Sequence, residues 1–105
     1  MSAFSKLVAC LCDRPEGTPV LGVDVAPRLD ELASAHPDTP EWRHSVVDLL
    51  KTAGLDCSYG ARKRLAIELG YTQDLIDIKG SAEMNRWLHA EIIKRLTVAG
   101  AKIPS

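Results

Sequence analysis

Asn85, Trp87, His89 and Glu91 fall within seven residues of one another. An amide, an indole, an imidazole and a carboxylate at that density could bind a ligand or move a proton. Helical geometry separates them. His89 and Glu91 are two apart, so they point in different directions and cannot ligate one metal from a straight helix. The zinc pattern H-E-x-x-H is absent. Glu91 and Arg95 are four apart in the favourable order, which predicts a helix ion pair. Asn85 falls near the apolar stripe, where an unpaired amide costs about 1–3 kcal/mol. It is therefore expected to bond a neighbouring helix end and fix the packing register. His89, at the stripe's edge, is expected to bond a backbone carbonyl.

Other combinations meet the same test. His44 and Asp48 lie at i, i+4 and could mimic an acid–base dyad, but no nucleophile or third group is identifiable, so a solvated pair on an outer helix face is expected. His36, His44 and His89 would need tertiary convergence to hold a metal, and no two histidines stand at i, i+4. Cys10, Cys12 and Cys57 are an odd number and form no disulfide framework. The C-x-C pair is too close for the usual zinc spacing. Reduced thiols in a cytoplasmic protein are the expectation. No catalytic, cofactor-binding or metal-binding residue is assigned. Arg62, Lys63 and Arg64 open a helix that follows a turn at Gly54, the outline of a helix-turn-helix. Arg62 falls within the apolar stripe, so it is expected to snorkel or pair with an acid.

The elements that must position these residues read as helices. Phe4, Leu7, Val8 and Leu11 form one stripe over residues 2–12, a helix too short to be stable alone. Residues 13–22, rich in Pro and Gly, read as a linker. A second helix spans about 25–36, capped by Asp24 and stopped by Pro37. A third spans about 40–53, with Thr39 as N-cap, Pro40 in the first position and Gly54 ending it. A fourth spans about 58–69, capped by Asp56 or Ser58 and ended by Gly70. Residues 72–80 read as an irregular connection whose Leu75, Ile76 and Ile78 can pack as a turn of helix. A fifth, about 82–98, starts after Ser81 and ends at Gly100, with Met84, Leu88, Ile92 and Leu96 inward. Trp42 is expected in the core and Trp87 partly buried. No segment alternates with period two, so no strand is expected.

The chain has 105 residues, enough for one domain, with 46% hydrophobic residues and a net charge of −1. That charge disfavours a tight electrostatic grip on nucleic acid. Residues 1–39 carry three basic against six acidic side chains, and the remainder ten against eight, too slight an asymmetry to name a partner. No run approaches a membrane span. "LVAC" (Leu7 to Cys10) mimics a lipoprotein box, but Lys6 leaves no room for the apolar region before it.

"WRHSVVDLLKTAGLDCSYGARKRLAIELGY", followed by "GSAEMNRWLHAEIIKRLTVAGAKIP", resembles the domain of unknown function family 3597, small helical proteins mostly of bacteria. The likeness is dense from Glu41 to Pro104, and the opening "MSAFSKL" is similar too. The resemblance implies a five-helix domain with a flexible connection after the first helix. It implies no activity and hence no site residues. Two departures stand out: a shorter first connection, and the longer, more apolar segment "QDLIDIKG".

The expected architecture is all-α, a single five-helix domain with its last three helices as the compact core and the first least anchored. Residues 1–12 would be an amphipathic N-terminal helix, 13–23 a linker and 24–105 the helical domain. The expected function is a non-catalytic protein-interaction module, its candidate surface formed by Phe4, Leu7, Val8, Leu11, Arg62, Lys63, Arg64 and Ile67. A DNA-binding helix-turn-helix is the alternative, and a small enzyme the second alternative. No cofactor is expected.

Overall fold

The computed structural model describes residues 3–12, 15, 19, 21–38 and 40–103. Five helices follow in order: α1 (Ala3–Cys12), α2 (Val25–Ser34), α3 (Val46–Thr52), α4 (Tyr59–Glu68) and α5 (Gln73–Val98). Among the described residues there is no strand, only an isolated parallel bridge between Asp24 and Lys102. The all-α expectation holds. The Cα radius of gyration is 13.2 Å, close to the roughly 13 Å of a single 100-residue domain.

The core is wider than the last three helices. Leu7, Leu11 and Cys12 of α1 and Val25, Ala26 and Leu29 of α2 join the same buried cluster as Leu49, Leu65, Met84, Leu88, Ile92 and Leu96. The first helix is therefore not the least anchored element. Its two leucines are fully buried, each contributing about 1.5–3 kcal/mol. α1 packs on α2 and α4, while α5 packs on α3 and α4. Most of the expected linker at 13–23 lies outside the described residues.

α1 has no acidic residue in its first turn and no basic residue in its last. Both arrive from elsewhere. The Glu68 carboxylate accepts from the amides of Ala3 at 3.0 Å and Phe4 at 3.1 Å. Arg28 Nε donates to the Cys10 carbonyl at 2.9 Å, and the Cys10 thiol donates to the Ala53 carbonyl. An acid at the positive helix end and a guanidinium at the negative end match the helix dipole.

α3 starts six residues later than expected. Its N-cap is Ser45, whose Oγ accepts from the Asp48 amide at 3.3 Å. Thr39, the expected cap, lies outside the described residues. Two start signals compete here, and "SVVD" (Ser45 to Asp48) is the Ser-x-x-acid capping pattern. The Asp48 carboxylate reaches back to the Glu41 amide at 3.0 Å, holding residues 40–45 as a turn.

The expected irregular connection at 72–80 is instead helical. Thr72 caps α5, its hydroxyl oxygen accepting from the Leu75 amide at 3.2 Å. The helix breaks at Gly80 (φ 84°, ψ 173°), a conformation essentially restricted to glycine, and resumes at Ser81, one residue before the expected start. Gly54, Gly70 and Gly100 end α3, α4 and α5 as expected, each with the chain's next amide bonded back into the last turn, Leu55 to Leu50, Tyr71 to Ala66 and Ala101 to Leu96. Beyond α5 the chain ties back to the start of α2. Gly22 N donates to Gly100 O at 2.8 Å, Lys102 N to Val23 O at 2.7 Å and Val25 N to Lys102 O at 2.9 Å.

Candidate functional site

The turn at residues 40–45 gathers side chains from α2 and α5. Asp30 on α2 accepts from the Trp42 indole N–H at 3.1 Å and from Arg43 Nη1 and Nη2 at 2.8 and 3.2 Å. The Arg43 guanidinium stands 4.2 Å over the Trp42 ring. The bidentate bond to Arg43, and then the bond to Trp42, hold the Asp30 carboxyl below the usual carboxylate range. The same pairing raises Arg43. Both side chains are about half exposed, so the pair orders this surface more than it stabilises the fold.

On the other side, a ring nitrogen of His89, Nε2, lies 2.7 Å from the Trp42 carbonyl. A carbonyl only accepts, so Nε2 carries the proton and donates. Asn85, one turn earlier, faces Arg62 of α4. Arg62 Nη1 donates to Asn85 Oδ1 at 2.6 Å, and its Nε donates to the Cys57 carbonyl at 3.2 Å. A guanidinium has no acceptor, which fixes the amide with its oxygen toward Arg62.

Two clefts flank the turn, and His44 lines both. The larger, about 400 Å³, runs between α2 and the turn past Asp30, Ala33, Ser34, Glu41 and Arg43. The smaller, about 230 Å³, lies between the start of α3 and α5, and is lined by His44, Ser45, Val46, Val47, Asn85, Arg86 and His89. A third cleft, about 290 Å³, lies between α1 and α4 beside Lys6, Leu50, Asp56 and Arg64.

Several expectations on single residues hold. His89 bonds a backbone carbonyl. Glu91 pairs with Arg95 at 3.0 Å, and Arg95 also donates to Leu69 O at the end of α4 at 2.9 Å. Trp42 is buried, and Trp87 is half-buried with its ring 4.8 Å from that of Tyr71.

Others are corrected. Asn85 is half-buried and pairs with a side chain, not a helix end. Arg62 pairs with an amide and a carbonyl, not with an acid, because Asn85 and Cys57 are what α5 and the turn before α4 present to it. His44 precedes α3 and so does not share a helix face with Asp48. Within the expected interaction surface, Leu7 and Leu11 are fully buried and cannot meet a partner while α1 is docked. Phe4 and Val8 are half-buried against the core. Arg62 and Lys63 are half-buried, Arg64 is exposed, and Ile67 is 44% exposed. Sequence reading missed Asp30 and Arg43, whose pairing spans 13 residues and leaves no local signal. It also missed Ser45, which "SVVD" would have revealed.

Among the described residues no group of three or more His, Cys, Asp or Glu is placed to hold a metal ion, and no helix is long and apolar enough to cross a membrane.

Comparison with known proteins places the chain among others of the same build. The model of the family described as "Domain of unknown function (DUF3597)" matches residues 7–104. A solved solution structure of a conserved unknown protein from Rhodopseudomonas palustris is similar at 35% sequence identity. The likeness covers 99% of this chain and 96% of that one, with a TM-score of 0.76. The comparison with curated proteins finds no match.

Proposed function

The chain belongs to the family of the domain of unknown function DUF3597, and from that premise and the geometry of its surface we propose that it is a non-catalytic protein-interaction module. One observation carries the reading. Four of the polar side chains that could do chemistry are committed to holding elements together: His89 to Trp42 O, Asn85 Oδ1 to Arg62, Arg95 to Leu69 O and Glu68 to the start of α1. What the surface offers instead is the open 400 Å³ cleft beside α2, walled by an arginine already stacked on a tryptophan and paired with Asp30. Arginine held in place in this way is characteristic of binding hot spots, because little side-chain freedom remains to be lost.

The docking element is thus moved from α1 to the α2 side of the turn. A DNA-reading role is disfavoured because Arg62, central to the basic run, points into the protein and is occupied there. A catalytic role would have to use the cleft that contains both His44 and His89. There Ser45 Oγ is engaged as a helix cap, and no carboxylate is among the described lining residues. Cys10, Cys12 and Cys57 stand outside any disulfide, which favours a reducing, cytoplasmic setting.

The test is a quantitative pull-down from the native organism with wild-type protein and Arg43→Glu, with Lys94→Glu as a charge-matched control on exposed α5 surface. Arg43→Glu should lose at least tenfold of a specific partner while retaining its thermal midpoint within a few degrees. Equal recovery by all three proteins refutes this surface as the docking site.

A further inference from the structure

We propose that the cleft between the start of α3 and α5 binds a small oxyanion, a carboxylate or a phosphate. The proposal rests on how the hydrogen-bonding groups around it are already committed.

Asn85 is the central residue. Its oxygen is held at 2.6 Å by Arg62, which leaves its NH₂ as the group of this cleft-lining residue available to a ligand. Among the described residues that NH₂ has no acceptor. Amide donors backed by a cation on the carbonyl side are strengthened, because each hydrogen bond polarises the next. Arg62 thus acts on the cleft through Asn85 without entering it.

Two more side chains with N–H donors line the cleft, His44 and Arg86. His44 is exposed on the turn, and the Arg86 guanidinium stands at the mouth with its side chain 70% exposed. Among the described residues Arg86 is paired with Glu83, three residues away. Pairs of this kind contribute little, so an anion can compete for the guanidinium. His89 Nε2–H donates to Trp42 O, which holds the ring against the wall of the cleft. Val46 and Val47 supply the apolar side. No Asp or Glu is among the described residues of the lining, and the Glu83 carboxylate is paired with Arg86.

Size narrows the class. At about 230 Å³ the cleft is below the roughly 300–1,000 Å³ of sites for drug-sized ligands, so inorganic phosphate and short hydroxy acids suit it better than nucleotides do.

Asn85→Asp separates binding from folding. Aspartate keeps an oxygen for Arg62, and with a stronger, charge-assisted bond, but it replaces the NH₂ donors with a negative oxygen. The experiment is an NMR titration of the ¹⁵N-labelled full chain with sodium phosphate and, separately, with sodium lactate, each against sodium chloride at matched ionic strength. The wild-type protein should show saturable shifts in the Asn85 side-chain NH₂ and the Val46 and Val47 amides. With Asn85→Asp, affinity should fall at least tenfold while the spectrum remains that of the folded protein. Saturation by phosphate alone assigns the site to phosphate, and saturation by lactate alone to a carboxylate. Shifts that do not saturate with either anion, shifts spread over the whole surface, or unchanged affinity in Asn85→Asp overturn the proposal.

Discussion

Gly100→Ala should be among the most damaging single-methyl additions in the molecule, and the damage should be partly reversible by trimming an exposed residue. Gly100 has φ 95°, in the region where a Cβ costs about 1–2 kcal/mol. A Cβ built there would overlap Leu21 Cδ1 and stand 3.2 Å from Leu21 Cα. The exposed Leu21 tip can swing into solvent, so the contact that resists is the approach to Leu21 Cα, which adds about 1 kcal/mol, the low end of an overpacking cost. The combined cost is about 2–3 kcal/mol, a sizeable share of the 5–15 kcal/mol that holds a domain together. The Leu21 backbone cannot simply retreat, since Gly22, next to Leu21, is bonded to Gly100 itself at 2.8 Å.

Leu21 supplies the control. Its side chain is 81% exposed, so Leu21→Ala alone should change stability by less than about 0.5 kcal/mol. In the double variant the overlap with Cδ1 disappears, whereas the backbone strain and the approach to Leu21 Cα remain. The pair should therefore be more stable than Gly100→Ala by about 0.5–1 kcal/mol, at the low end of the coupling expected for residues in contact. Urea unfolding followed by tryptophan fluorescence measures all four proteins, with an unchanged m-value showing that only stability moved. A Gly100→Ala protein within 0.5 kcal/mol of wild type, or a double variant no more stable than Gly100→Ala, would refute the close approach of these two segments.

Glu68→Ala should cost about 1 kcal/mol, the usual price of losing a helix N-cap, and hydrogen exchange should show protection lost first at the start of α1. Unchanged exchange at Phe4 would mean that the carboxylate does not hold this helix. Asp30 has a lowered carboxyl pKa because of Arg43, so its contribution is fully present above the ordinary aspartate value and is lost as pH falls through the lowered one. The Trp42 indole N–H resonance should therefore titrate below the ordinary aspartate range, and Arg43→Ala should move that midpoint upward; a midpoint indifferent to Arg43→Ala would discount the pairing.

What was legible in the sequence depended on the range of the interaction. Helix ends at Gly54, Gly70 and Gly100 are local signals, and so is the apolar stripe of Met84, Leu88, Ile92 and Leu96. The Glu91–Arg95 pair needs only helical spacing. The bonds that join one helix to another leave no such mark. Glu68 reaches Ala3 across 65 residues, and Arg95 reaches Leu69 O across 26. For that reason α1, whose own sequence carries no charge at either end, read as a loose element when it is a capped one. Asn85 and His89 were identified as residues needing partners, but the partners themselves, Arg62 and Trp42 O, are set only by the packing of α4 and the turn against α5.

The segment 40–45 is where local rules disagree, and it is also where the surface opens. Pro40 and Glu41 favour a helix start, yet Ser45 and Asp48 start it later and leave six residues outside it. Had α3 begun at Pro40, Trp42 and His44 would have belonged to a regular helix face, and the Trp42 carbonyl would have bonded within that helix. Instead, that carbonyl is free to accept from His89, the indole turns to Asp30, and His44 stands between two clefts. A sequence generally satisfies its local preferences except where a functional or strained site overrides them. The override here positions the arginine wall of one cleft and the histidines of the other, so a partner on the α2 side and an anion on the α5 side would meet across the same six residues. His44 lines both clefts, so an occupant of one changes the surroundings of the other.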